Sequence, residues 1–218
     1  SVITLDRVFN SPFFSGQFAP PTRWTPDGEA YFSSDRRPGT KGPDLVRVNP
    51  ETGEKTVLVR SEQLIPAGDT LPLRAASFRF SDDGRKLLLF TNTARVWRVN
   101  SRGDYWVLNL DSGALRQLGG PAAKPQTLMF AKFSPTADRV AYVRENNLYV
   151  ERVSDGAITA LTKDGSRTVI NGTFDWVYEE EFGIRDGFRW SPDGRSIAYW
   201  QLDASGVRDF LLLNATDS

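Results

Sequence analysis

Short apolar runs recur along the chain, separated by turns built from Ser, Thr, Pro, Asp and Gly. Four of these turns are alike: Trp24-Thr25-Pro26-Asp27-Gly28, Phe80-Ser81-Asp82-Asp83-Gly84, Phe133-Ser134-Pro135-Thr136-Ala137-Asp138 and Trp190-Ser191-Pro192-Asp193-Gly194. Their aromatic leaders, at positions 24, 80, 133 and 190, stand 56, 53 and 57 residues apart. Each turn is followed by a β-rich run: Ala30-Tyr31-Phe32, Leu87 to Phe90, Val140 to Val143 and Ile197 to Trp200. A third run follows at Leu45 to Val48, Tyr105 to Leu108, Leu148 to Val150 and Phe210 to Leu213. A second Gly turn (Gly53, Gly113, Gly156) and a fourth run close the first three repeats. Such turn chemistry between short β-rich runs predicts strands joined by tight turns.

Four strands per repeat describe an antiparallel blade, and blades repeated in register predict a β-propeller. No helical period competes over a long window. The competing architecture is a β-sandwich with coincidental turns, which four turns in register disfavour. The expected division is a lead-in over 1–20 and a propeller fragment over 21–218, with blades near 21–60, 75–119, 127–162 and 187–218. The fourth repeat ends before its outer strand, so the chain reads as a partial propeller cut from a longer one. In an up-and-down blade the short Gly turns lie on one face and the longer connections on the other. Two long segments fall on that second face: 92–103, expected as an irregular loop, and 162–189. Long loops on one face of a repeat array are where binding usually resides.

Composition narrows the chemistry. The 218 residues are 39% hydrophobic and 25% charged, an ordinary balance for a globular protein. Lys+Arg and Asp+Glu both total 27, so nothing favours nucleic acid as a partner. No apolar run is long enough to span a bilayer, and no signal-peptide pattern opens the chain. There is no Cys, which removes disulfides and thiolate chemistry. There is also no His, so a Ser-His-Asp triad, a His base and a His-ligated metal are all excluded within this chain. No catalytic residue, metal site or cofactor is expected here.

The most unusual stretch is Phe174-Asp175-Trp176-Val177-Tyr178-Glu179-Glu180-Glu181-Phe182, in the second long segment. Adjacent carboxylates repel unless a cation neutralises them. A primary ammonium carries three donors and no acceptor, so two carboxylates can grip it with charge-assisted hydrogen bonds. On a helical turn Glu180 and Glu181 diverge by about 100°, which still lets them close on one cation. Arg98, in the first long segment, could orient the acids or take a carbonyl. By themselves a Glu run and a loop Arg also describe a solvated face and a surface ion pair.

Phe174 to Phe182 resembles the double-Glu motif of the dipeptidyl peptidase IV family, which reads Asp-Trp-Val-Tyr-Glu-Glu-Glu at this point. The likeness continues through Gly187 to Gly194, and Arg95-Val96-Trp97-Arg98 with Arg102 to Leu108 is similar to another family segment. The resemblance implies a serine exopeptidase that removes N-terminal dipeptides of the X-Pro or X-Ala type, pairing an eight-bladed propeller with a C-terminal α/β-hydrolase domain absent from this chain. It implies that Glu180 and Glu181 bind the substrate's free amine, that Arg98 contacts the first peptide carbonyl, and that Glu179 is structural. The flanking aromatics are expected to anchor the grip against the blades. The lack of Cys matches a bacterial branch better than animal members. Peptides with a free N-terminus, the hydrolase domain and a second copy of the full-length protein are the implied partners, in the periplasm or outside the cell. Two alternatives stay open: a non-catalytic peptide- or protein-binding propeller, and the gating propeller of a prolyl oligopeptidase-type endopeptidase.

Overall fold

The computed structural model describes residues 3–10, 23–121 and 123–211, in two compact units that divide after Gln63. The first unit begins with a short helix, α1 (Leu5–Phe9), whose N-cap Thr4 side chain accepts from the Arg7 N–H. Its sheet is one antiparallel blade in sequential order: β1 (Arg23–Trp24), β2 (Tyr31–Asp35), β3 (Asp44–Val48) and β4 (Lys55–Val59). Ala30, Leu45, Val46, Val48 and Val59 are buried in it. The lead-in was expected to lie outside the repeat; α1 is helical, while Ser11 and Pro12 lie outside the described residues.

The second unit holds two complete blades. One is β5 (Ala75–Phe80), β6 (Lys86–Val96), β7 (Val99–Asn109) and β8 (Leu115–Gln117). The next is β9 (Leu128–Phe133), β10 (Arg139–Arg144), β11 (Asn147–Arg152) and β12 (Ile158–Ala160). Successive strands within each blade pair antiparallel, and the two blades meet edge to edge where Gly103 of β7 faces Leu128 of β9. The fold is thus a partial β-propeller of antiparallel blades.

Strand β10 shows how the blades pack. Val140, Ala141, Tyr142 and Val143 are all fully buried. A strand alternates its side chains between two faces. Val140 and Tyr142 join Leu88, Tyr105, Val107, Leu118 and Leu128 in the layer shared with the preceding blade. Ala141 and Val143 join Met129, Leu148 and Phe188 in a second layer, shared with the part of the chain beyond β12. An apolar run without polar alternation is therefore a strand covered on both faces, each buried Val or Leu contributing about 1.5–3 kcal/mol.

The four matched turns share one hydrogen-bond pattern. The Ser or Thr hydroxyl donates to the Asp carboxylate in each: Thr25 to Asp27, Ser81 to Asp83 at 2.6 Å, Ser134 to Asp138 at 2.8 Å and Ser191 to Asp193 at 2.6 Å. The hydroxyl oxygen accepts an N–H at or just before the start of the next strand, as from Lys86 at 2.9 Å and Ser196 at 2.9 Å. The turn needs a left-handed residue, which Gly28, Gly84 and Gly194 supply; Ala137 takes φ 52° in the third.

After β12 the architecture departs from four tidy repeats. β13 (Val169–Asn171) is followed by a helix, α2 (Trp176–Phe182), then β14 (Phe188–Trp190), β15 (Ile197–Tyr199) and β16 (Gln201–Asp203). β14 pairs with β15, and β13 pairs with β16. Trp200 links the two ladders: its N–H donates to the Gly187 carbonyl at 2.9 Å, and its carbonyl accepts from the Gly172 N–H at 2.9 Å. One continuous edge, 197–203, thus pairs with an interrupted strand, and the interruption, 173–186, carries α2. A Thr173–Asp186 bridge closes its neck. The segment 162–189 is therefore not one loop. Phe210 and Leu211 are not in a strand, contrary to the third run expected there; Leu212 and Leu213 lie outside the described residues.

Candidate functional site

The segment 92–103 is likewise not the irregular loop that was expected. β6 and β7 run on together as a long antiparallel hairpin, with Val96 facing Val99 and register shifts near Ala94. Only Trp97 and Arg98 form the turn. Main-chain pairing extends this hairpin because its residues, Thr93, Val96 and Val99 among them, suit strands and no Pro interrupts them. Trp97 adopts φ 55°, a left-handed conformation that costs a non-glycine residue about 1–2 kcal/mol. Its ring lies over the Arg185 guanidinium, 4.0 Å from the ring centre, a contact worth about 0.5–2 kcal/mol and so large enough to offset much of that strain.

Helix α2 is set by its ends. Asp175 caps it, accepting from the Tyr178 N–H at 3.3 Å. Gly183 ends it at φ 63°, with its N–H bonded to the Glu179 and Tyr178 carbonyls, the left-handed stop that glycine adopts without penalty. Phe174 is buried and stacks on Tyr178 at 4.7 Å, and its ring also meets Trp200 at 5.8 Å. These two aromatics anchor the helix. Trp176 and Phe182, expected to do the same, are exposed instead: Trp176 lies on a different side of the helix from Tyr178, and Phe182, one turn on from Tyr178, meets its ring at 5.8 Å but stays open to solvent at the helix end.

The three acids take three environments. Glu179 is buried; one oxygen accepts from Arg185 at 3.0 Å and the other from the Arg98 backbone N–H at 2.9 Å. Glu180 is half-buried and receives both the Nε and an Nη of Arg98, a two-pronged pair across 82 residues of sequence. Those bonds hold the Glu180 carboxyl below its usual range and raise the Arg98 guanidinium. Glu181 is exposed, and among the described residues nothing hydrogen-bonds to its side chain. Arg185 is only 8% exposed. Burial lowers its pKa, opposed by the Glu179 charge. Its carbonyl also accepts from the Thr173 hydroxyl at 2.8 Å, tying it to the neck of the excursion.

Of the three residues singled out from sequence, Arg98 on the hairpin tip and Glu180 on α2 meet in space, while Glu181 follows Glu180 on α2 with its side chain exposed. Arg98, Glu179, Glu180 and Arg185 form a cluster in which two carboxylates meet two guanidiniums, and the Glu181 carboxylate beside it on α2 has no cation bonded to it among the described residues. Such a cluster suits a single ammonium group, one carboxylate being open and the second reachable by displacing Arg98. Among the described residues no group of three or more carboxylate, His or Cys side chains is arranged as metal ligands would be. Sequence reasoning missed Arg185 and the role of Trp97. Arg185 lies six positions after Glu179, past the helix end, a spacing with no periodic signature.

Antiparallel blades with an acidic helix inserted into one strand and an arginine-tipped hairpin beside it define a propeller segment with a charged excursion. The family model described as "Dipeptidyl peptidase IV (DPP IV) N-terminal region" matches residues 81–218, and the chain belongs to this family. It is 30% identical over 217 residues to a probable dipeptidyl-aminopeptidase B of Talaromyces stipitatus, covering 95% of this chain and 24% of that protein. It is 35% identical over 159 residues to dipeptidyl aminopeptidase B of Saccharomyces cerevisiae, covering 72% of this chain and 18% of the relative. The crystal structure of Porphyromonas gingivalis dipeptidyl peptidase 4 superposes with a TM-score of 0.73 at 27% identity, over 89% of this chain and 26% of that one. The chain thus spans about a quarter or less of the length of these relatives.

Proposed function

We propose that this chain is the substrate-recognition part of a serine dipeptidyl peptidase, with Glu180 and Glu181 receiving the free α-amine of a peptide. The observation that carries this reading is the Arg98–Glu180 pair formed across 82 residues of sequence, with the exposed Glu181 next to it on α2. Family membership supports the reaction class, and the absence of His from this sequence is in keeping with a recognition role in which nucleophile and base are carried elsewhere in the complete protein.

In this mechanism the propeller does positioning, not bond cleavage. An incoming ammonium takes Glu181 first, since that carboxylate is exposed. It then competes with Arg98 for Glu180. Arg98, released, turns its donors to the carbonyl of the first residue. The amine is held a set distance from the nucleophile, so only the bond after the second residue reaches it. A blocked amine offers no charge and is refused.

The test is Glu180→Ala in the complete peptidase, assayed with a dipeptidyl p-nitroanilide. A fall in kcat/KM of about 100-fold is expected, because a charged hydrogen bond worth about 1.5–3 kcal/mol and the register it sets are both lost. Unchanged turnover sinks the reading. Cleavage of N-terminally blocked peptides at internal prolines would favour the gating propeller of an endopeptidase instead. Secretion to the periplasm or beyond, and dimerisation of the complete protein, belong to the same proposal; cell fractionation and sedimentation of the complete protein check them. Among the described residues no helix is long and apolar enough to cross a membrane.

A further inference from the structure

The hairpin tip that carries Arg98 belongs to a different blade from α2. Besides the Arg98–Glu180 pair, two contacts hold the tip here and a third ties them together. The Arg98 N–H donates to Glu179 at 2.9 Å, Arg185 donates to the same Glu179 carboxylate at 3.0 Å, and the Trp97 ring covers the Arg185 guanidinium at 4.0 Å. Arg185 is common to the last two and is buried, with its Nε unpartnered among the described residues. A buried guanidinium with an unused donor is poorly explained as a stability device, since each such donor is costly. It is well explained as a clamp: its flat face supports the strained Trp97 while its edge grips Glu179, and Lys could do only the second.

We infer that Arg185 is a positioning residue that fixes the Arg98 tip over Glu180 and Glu181, and so sets how strictly the site demands a free amino terminus. This rests on the amine-grip reading of Glu180 and Glu181. It adds that the selectivity of the grip is set from behind, through Glu179 and Trp97, by a residue that touches no substrate. Without the clamp the tip keeps its pair with Glu180 but loses its fixed approach, and the amine, the carbonyl and the nucleophile fall out of register. A displacement of about 1 Å in such a frame can cost about 100-fold in rate.

The experiment compares Arg185→Met, Arg185→Lys and Glu180→Ala in the complete peptidase. One substrate is a dipeptidyl p-nitroanilide with a free amine. The second is p-nitrophenyl acetate, a small ester that reports the nucleophile without needing the grip. Arg185→Met is expected to lower kcat/KM on the dipeptide substrate about 10- to 100-fold, with ester hydrolysis within about twofold of the parent. Arg185→Lys is expected to recover part of the loss, since it keeps the charge on Glu179 but not the flat face under Trp97. If Glu180→Ala is crippled and Arg185→Met is not, the clamp is overturned and the amine grip stands. If neither variant loses dipeptide turnover, the grip itself falls, and the clamp with it. If Arg185→Met loses both activities it has unfolded, and Trp97→Leu then decides. That variant keeps the Glu179–Arg185 pair, so a loss of about fivefold or more confined to the dipeptide substrate supports the clamp, and parental kinetics overturn it.

Discussion

Glu151 offers the sharpest test of how the blades of the second unit are held together. Its side chain is 0% exposed, in β11, yet it is an acid. One oxygen accepts from Arg116, which comes from β8 of the preceding blade. The other accepts the Gly119 N–H at 2.8 Å and the Tyr142 hydroxyl at 3.2 Å. Arg116 also donates to the carbonyls of Arg152 and Val153 at 3.2 and 3.3 Å. Burial, with the Glu151 charge beside it, pushes the Tyr142 hydroxyl upward, so it stays a donor. Glu151→Gln keeps the volume but turns one acceptor into a donor facing the Arg116 donors. A lost hydrogen bond to a charged group costs about 1.5–3 kcal/mol, and breaking a buried pair costs about 3–5 kcal/mol. Arg116 is about one-third exposed and can turn partly to water, which favours the lower end. The expected loss is about 3 kcal/mol, or a fall in Tm of about 6–12 °C for a chain of this size. Urea unfolding followed by Trp fluorescence measures it, with Arg116→Met and the double variant completing a cycle. A loss below about 1 kcal/mol, or a cycle showing no coupling between 116 and 151, would refute the claim that this network joins the two blades.

Two other perturbations probe the neck of the excursion and its surroundings. A Cβ on Gly187 would sit 3.0 Å from the Gly172 carbonyl carbon and from the Thr173 nitrogen, both main-chain atoms. Gly187→Ala should therefore cost about 1–3 kcal/mol and shift α2, seen as a lower Tm together with weaker dipeptide turnover; an unchanged Tm would show that the neck yields freely. Lys132, on β9, is only 13% exposed, pairs with Asp186 at the neck of the excursion and lies 3.6 Å from the centre of the Phe188 ring. Burial lowers its pKa to about 8 from 10.5, outweighing the Asp186 charge. Between those values the unfolded chain holds a proton that the folded chain has released, so folding stability rises with pH across that window. Lys132→Met should lack this rise, and parallel slopes for parent and variant from pH 8 to 10.5 would contradict it.

How much of this was legible in the sequence differs between fold and site. The turns were readable because their chemistry is local: a hydroxyl, a carboxylate and a left-handed residue within a few positions. The strand runs were readable because a strand covered on both faces leaves an unbroken apolar stretch, as at Val140 to Val143. The hairpin's extension over 92–103 read as a loop because register shifts near Ala94 break its alternation.

The sequence by itself determined the repeat, its turn residues, the absence of any internal His or Cys chemistry, and the segment that bears the acids. Tertiary structure alone decided what those acids are. Identical in type and adjacent in sequence, Glu179, Glu180 and Glu181 differ because a helix turns each to a different neighbour: a buried guanidinium, a hairpin tip from another blade, and open solvent. Charge and spacing are properties of the chain, but burial and partnership exist only once distant segments pack. For that reason Arg185, which no local pattern marks, became visible only in the folded molecule.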